Sequence, residues 1–263
     1  IMARFLSINL RGHSMQLKLV LITGSSRGIG AETALLAAQK GWDVVITYRS
    51  KIAAAEAVVK KIITLGQRAL AIKVDVAREQ DIYALFKTVD KEFGRLDALV
   101  NNAGVITVIS AFVDMSPARI RDVFNVNVVG AFICAQEAVK RMAHSSGGQG
   151  GGIVNLSSAA ARIGAPNEFI DYAASKGAID TLTTGLSKEV GGEGIRVNAV
   201  RPGLIITDMH ADAGDKDRPE KFKHAIPMQR AGKPSEVASA IVWLISDEAS
   251  YVSGACLDVS GGR

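Results

Sequence analysis

The apolar run Ile153-Val-Asn-Leu-Ser-Ser158 ends in paired hydroxyls, and beyond a short loop a phenol and an ammonium follow four residues apart, in Tyr172-Ala-Ala-Ser-Lys176-Gly. On a helix, residues i and i+4 share a face, so Tyr172 and Lys176 point the same way. A free tyrosine has a pKa near ~10, too high for an efficient base at neutral pH, and a neighbouring cation favours the phenolate. A serine hydroxyl can donate a hydrogen bond to a carbonyl oxygen, or hold an alcohol, while the tyrosine moves the proton. Ser158 lies nearer the end of the run than Ser157 and is the better placed of the two. Taken alone, Tyr-x-x-x-Lys also fits a half-buried tyrosine beside a lysine whose stem covers an apolar face. The surrounding elements have to decide.

An apolar strand at 16–23 breaks into Gly24-Ser-Ser-Arg-Gly28-Ile-Gly30, and a helix is expected over 31–40 with Gly41 as its stop. The loop follows T-G-x-x-x-G-x-G. It puts Gly24, Ser26, Arg27, Gly28, Ile29 and Gly30 where free N–H groups at a helix N-terminus can meet a pyrophosphate. The next strand, 43–50, ends in Tyr48-Arg49-Ser50. An acid at that end would hold the ribose diol of NAD(H), whereas an arginine accommodates a 2′-phosphate. The missing acid, with Arg27 nearby, favours NADP(H), and NAD(H) is the alternative.

A helix over 52–65 and a strand over 69–74 lead to Asp75-Val76, where Asp75 either caps the helix at 79–93 or meets an adenine ring. The strand at 96–100 ends in Asn101-Asn102-Ala103-Gly104, small enough for backbone and cofactor to approach closely. Ser116 and Pro117 open a long helix to Met142 as N-cap and first residue. Inside it, Asn125 and Asn127 are disfavoured unless they bend or hydrate the helix. The glycine-rich stretch 145–152 is expected to be a flexible surface loop. A helix over about 171–190 carries Tyr172 and Lys176, and a strand at 195–200 runs into Arg201-Pro202-Gly203-Leu-Ile205-Ile-Thr207. Residues 209–232, polar and weakly periodic, suit a lid. A helix at 234–245 and a strand at 255–259 close the chain.

About seven strands alternating with helices predict an α/β fold, a parallel sheet covered on both faces, with ligands beyond the carboxyl ends of the strands at a switch point. Every motif above falls at such an end. Hydrophobic residues at 48%, charged residues at 22% and 26 glycines suit buried parallel strands and exclude a disordered chain. The net charge of +5 without a dense Lys/Arg run, and 5% aromatics, fit an anionic small ligand rather than nucleic acid. No apolar run reaches the roughly 20 residues that span a bilayer. Cys134 and Cys256 lack metal-ligand spacing and read as small core residues, so no metal site and a cytoplasmic setting are expected. Residues 1–15 do not fit the pattern and are expected to be a disordered arm, leader or expression remnant, with 16–263 as the single domain.

With these residues assembled, the chain resembles the short-chain dehydrogenase/reductase family over 15–263. The resemblance rests on Thr23-Gly24-x-x-x-Gly28-x-Gly30, Asn101-Asn-Ala-Gly104, Asn127, Ser158, Tyr172-x-x-x-Lys176 and Pro202-Gly203. Val45-Ile-Thr-Tyr-Arg-Ser50 and the run 172–188 look most like bacterial glucose 1-dehydrogenase-type and 3-oxoacyl-(acyl carrier protein) reductase-like members. The resemblance implies a Rossmann-type doubly wound sheet, a nicotinamide cofactor, reversible alcohol/carbonyl conversion on a small molecule, and a homotetramer or homodimer. By the same resemblance, Tyr172 is the acid/base, and Lys176 lowers its pKa and binds the nicotinamide ribose. Ser158 holds the substrate oxygen, Asn127 positions a water, and Thr207 contacts the carboxamide. Gly24, Arg27, Ile29, Asp75, Val76, Asn102 and Gly104 are implied cofactor contacts, with Ala103, Pro202, Gly203 and Ile205 beside them. The loop 159–171 is slightly longer than is usual in the family, and 159–170 with 208–232 set the substrate. The competing reading is a catalytically idle NADP(H)-binding sensor or scaffold. A sugar-nucleotide epimerase would need an extra substrate domain.

Overall fold

Seven short strands, several of them apolar and buried on both faces, organise the chain: β1 (Leu19–Ile22), β2 (Asp43–Tyr48), β3 (Ala69–Lys73), β4 (Ala98–Asn101), β5 (Gly151–Leu156), β6 (Ile195–Pro202) and β7 (Cys256–Val259). Continuous burial of this kind demands cover on each side. The structure, a computed structural model, describes residues 17–263, and the arm expected at 1–15 lies outside them. All strands are parallel in the order β3-β2-β1-β4-β5-β6-β7, so the chain reverses direction across the sheet between β1 and β4. This is a Rossmann-type doubly wound sheet. The reversal opens a crevice beyond the carboxyl ends of those two strands.

On one face, α1 (Gly28–Gln39) and α2 (Ile52–Thr64) bring Ala34, Ala37 and Ile62 to β1, β2 and β3, and α10 (Pro234–Ile245) brings Ile241 to β5 and β6, in one continuous core. On the other, α3 (Glu79–Phe93), α5 (Gly130–Met142) and α7 (Ile170–Glu189) cover the sheet, with Phe86, Cys134 and Met142 among its fully buried side chains. The remaining helices, α4 (Pro117–Phe124), α6 (Ala160–Ile163), α8 (Met209–Asp212) and α9 (Arg218–Lys221), lie around the crevice or lead up to it. No helix among the described residues is long and apolar enough to cross a membrane.

Four expectations need correction. First, α1 begins at Gly28 rather than at 31, because the last glycines of the loop already form its first turn. Second, the helix expected unbroken to Met142 contains a π turn at Asn125–Val129, between α4 and α5. Third, 145–152 is not a flexible loop. A Cβ at Gly148 would fall 2.3 Å from Met142 and one at Gly151 would fall 2.2 Å from the Asp97 oxygen. Gly150 N–H donates to Met142 at 2.8 Å and Gly152 N–H to Asp97 at 3.0 Å, so these glycines permit backbone-to-backbone packing. Fourth, Cys256 is half-exposed on the edge strand β7, unlike the buried Cys134.

Candidate active site

The first two residues of α7 are followed by Tyr172, and one turn later by Lys176 on the same face. Lys176 is buried, and its Nζ donates to the Leu156 carbonyl at the end of β5, at 2.6 Å. The same Nζ lies 5.7 Å from the centroid of the Tyr172 ring. The serines at the end of β5 part company. Both line a cavity with Tyr172 and Lys176, but the Ser157 Oγ is spent on the Lys176 carbonyl at 3.2 Å, whereas Ser158 hydrogen-bonds to the Tyr172 phenol.

Desolvation pushes the Tyr172 phenol above its ordinary range, and a hydrogen bond with Ser158 works in the opposite sense. Burial pushes the Lys176 ammonium down to about 8, against the charge of Asp180 one turn further along α7. Ser158 therefore favours the phenolate while burial opposes it, and the Lys176 Nζ, held by Leu156, stands 5.7 Å from the centre of the same ring.

Asn127, 1% exposed, lies one layer behind the cavity inside the π turn. Its Oδ1 accepts from the Val105 N–H at 2.8 Å, and its Nδ2 donates to the Val105 carbonyl at 2.9 Å and to Ser175 Oγ at 3.1 Å. Ser175 Oγ in turn donates to the Tyr172 carbonyl at 2.7 Å. The asparagine clamps the segment after β4 to the start of α7. A widened turn suits this, since an asparagine in a regular helix tends to bond its own backbone.

The cavity of Ser158, Tyr172 and Lys176 measures about 160 Å³ and has mostly apolar walls, including Ile106, Ile163, Phe169 and Leu204. Pro202, Gly203 and Ile205 belong to its wall. Arg218, from the segment 209–232, is part of its wall. Its guanidinium meets Glu168 in a two-bond fork, at 2.9 Å and 2.5 Å, between the rings of Phe169 and Phe222. The loop beneath is strained, with Ala165 at φ 44° and Asn167 at φ 61°, a left-handed backbone that non-glycine residues rarely adopt.

Next to this cavity, the crevice between β1 and β4 forms a cleft of about 480 Å³. The structure brings Gly24, Ser26, Arg27, Gly28 and Ile29 to it from the loop, Tyr48, Arg49 and Ser50 from the end of β2, and Asp75 and Val76 from beyond β3. Asn102, Ala103, Gly104 and Thr207 complete that set. Gly30 sits behind the lining residues, where a Cβ would fall 2.5 Å from Asn102 Nδ2, so close packing requires a glycine there. Asn102 fastens the loop, donating from Nδ2 to the carbonyls of Thr23 at 2.8 Å and Gly24 at 2.9 Å.

The residues present fit a dinucleotide. A Cβ on Gly24 would fall 2.9 Å from Ala103 Cα. The start of α1 has no side-chain cap and no acid in its first turn, which leaves its N–H groups for an anion. At the mouth, the side chains of Arg49 and Lys51 have no hydrogen-bond or ion-pair partner among the described residues. Sequence reasoning missed Lys51 and also Thr47, whose Oγ1 accepts from the Gly24 N–H at 2.9 Å. The only signal for Lys51 was its place next to Ser50. Cleft and cavity are continuous, because Ile29, Asn102, Gly104, Ile106, Thr207 and Met209 line both.

Known proteins show the same architecture. The family model described as enoyl-(acyl carrier protein) reductase matches residues 24–263. The uncharacterized oxidoreductase YgfF of Escherichia coli strain K12 is 51% identical over 245 residues, 93% of this chain and 99% of the relative. Among solved structures, a short-chain dehydrogenase from Burkholderia cenocepacia J2315 in complex with NADP is 34% identical with a TM-score of 0.85, covering 95% of this chain and 99% of that one. A 3-ketoacyl-(acyl-carrier-protein) reductase from Brucella melitensis complexed with NADH is 33% identical with a TM-score of 0.87, at the same coverage of 95% and 99%. Motifs, strand order and relatives agree: this chain is an oxidoreductase of the short-chain dehydrogenase/reductase family.

Proposed function

We propose that the protein interconverts a secondary alcohol, or sugar hydroxyl, and a carbonyl with NADP(H), using Tyr172 as the acid/base. The observation that carries this is the continuity of the cavity of Ser158, Tyr172 and Lys176 with the cleft behind the glycine loop. A bound nicotinamide supplies or accepts the hydride. Ser158 holds the substrate oxygen, and desolvation keeps Tyr172 protonated at neutral pH, the form that gives its proton to a carbonyl. Lys176 supplies positive charge beside the phenol and fixes α7 to β5. Asn127 holds the Val105 segment that borders the cleft.

The N-terminus of α1 and Gly24 would hold the pyrophosphate, and Arg49 with Lys51 the 2′-phosphate. The lack of an acid at the end of β2 supports NADP(H), while one solved relative carries NADP and another NADH. The unpaired thiols of Cys134 and Cys256 support a cytoplasmic enzyme. The half-exposed edge strand β7, with Leu257 37% exposed, supports a homotetramer or homodimer. Tyr172→Phe tests the reading. Turnover of aldoses, diketones or β-ketoacyl thioesters with NADPH should be abolished while NADPH still binds, and retained turnover refutes it. An idle sensor would show no NADPH oxidation with any of these carbonyls in the parent protein.

A further inference from the structure

Arg27 projects from the glycine loop into the dinucleotide cleft, yet its guanidinium is engaged. Nη1 donates to Asp208 at 3.2 Å, and Nη2 bonds to Asp212. Both acids belong to the segment over the site: Asp208 immediately precedes α8 and Asp212 ends it. All three residues line the same cleft, with Arg27 bridging the loop and the lid. Arg49 and Lys51, at the same cleft, carry no such partners among the described residues.

The three side chains remain open to water, Arg27 at 36%, Asp208 at 68% and Asp212 at 51%, so their ion pairs are of the weak, exchangeable surface kind. A phosphate monoester carries about −1.5 to −2 charges at neutral pH and takes an arginine fork in preference to a point charge. An arginine already shared by two carboxylates cannot present its full fork to a third anion. The carboxylates also repel a 2′-phosphate brought against Arg27.

We propose, resting on the NADP(H) reading above, that Asp208 and Asp212 compete with the cofactor's 2′-phosphate for Arg27, so that carboxylates of the lid set how strongly the cleft prefers NADP(H) to NAD(H). The phosphate-bearing cofactor has to take Arg27 away from the lid, or do without it and rely on Arg49 and Lys51. NAD(H) leaves the Arg27 pairs as they are. The lid acids therefore weigh against one cofactor and leave the other untouched.

The test is calorimetric binding of NADP+ and of NAD+, without substrate, to the parent protein, Asp212→Asn, Asp208→Asn and the double variant, with far-UV spectra and melting curves as checks on folding. Loss of both carboxylates should tighten NADP+ by roughly two- to five-fold, the range that exposed ion pairs carry, and leave NAD+ unchanged. Adding Arg27→Ala to the double variant should erase the gain. Unchanged NADP+ affinity in the double variant overturns the proposal, as does an equal gain for both nucleotides. A parent protein that binds neither nucleotide would overturn the cofactor reading itself, an outcome distinct from either of these.

Discussion

Lys176 and Leu156 are joined by a 2.6 Å hydrogen bond from Nζ to the backbone carbonyl, which ties the first turns of α7 to the carboxyl end of β5. The bond fixes a buried cation beside the Tyr172 ring, and burial governs how that cation responds to pH.

Burial holds the folded ammonium at about 8 against an ordinary 10.5, with Asp180 opposing the shift. Between those values the unfolded chain binds a proton at Lys176 that the folded chain has released. Stability due to this group therefore rises with pH across the window, and below about 8 its full cost applies, on the order of 3 kcal/mol. Urea denaturation of the parent and Lys176→Met should show a stability difference that shifts in the parent's favour between neutral pH and 10.5. Turnover that needs the ammonium should fall as pH rises through about 8, and a rate flat into the alkaline range would count against the role of Lys176.

The two serines should separate cleanly. Ser158→Ala removes the hydroxyl facing the cavity and should lower kcat by about 10²-fold or more. Ser157→Ala removes the 3.2 Å bond to the Lys176 carbonyl and should cost about 1 kcal/mol of stability with kcat little changed. Steady-state kinetics with chemical denaturation decide it, and a larger kcat loss at Ser157 would reverse the assignment.

Arg49→Ala should weaken NADPH by about ten-fold, the scale of one lost charge-assisted bond, and leave NADH nearly unchanged. Fluorescence titration of both cofactors gives the ratio. Equal affinities for NADPH and NADH in the parent protein would refute the 2′-phosphate assignment at the end of β2.

Gly151→Ala should destabilise by about 2–3 kcal/mol through overpacking, since its Cβ would sit 2.2 Å from the Asp97 oxygen. Gly147→Ala meets open space and should cost only about 1 kcal/mol, for its left-handed backbone at φ 82°. Equal, small losses in thermal melts would restore the picture of a flexible loop.

The strand–helix alternation was legible because most strands are short, largely apolar runs such as Leu19–Ile22 and glycines stand near their borders, as at Gly24, Gly41 and Gly94. Ser116 caps α4 as its type suggested, accepting from the Arg119 N–H at 3.2 Å. What escaped reading depends on distance in space. Composition marks 145–152 as loose, but only the approach of Asp97 and Met142 shows why those positions are glycine. Arg27 looked like a free cation because Asp208 is 181 residues away in the chain. Periodicity over 209–232 was too weak to reveal α8 and α9, which are a single turn each. Cys256 sits in an apolar run, and nothing in that run says that its strand is the last in the sheet.

The π turn at Asn125–Val129 acts as an index mark along its helix. Each α-helical residue advances the face by about 100°, and a π turn holds one residue more, so α5 presents a different stripe than α4 would have carried forward. Removing one residue here would give a smoother helix and would swing Ala131, Cys134, Ala138 and Met142 off the sheet while Asn127 lost Val105. In this segment regularity is the fault to guard against, and the irregular turn keeps the helix in phase.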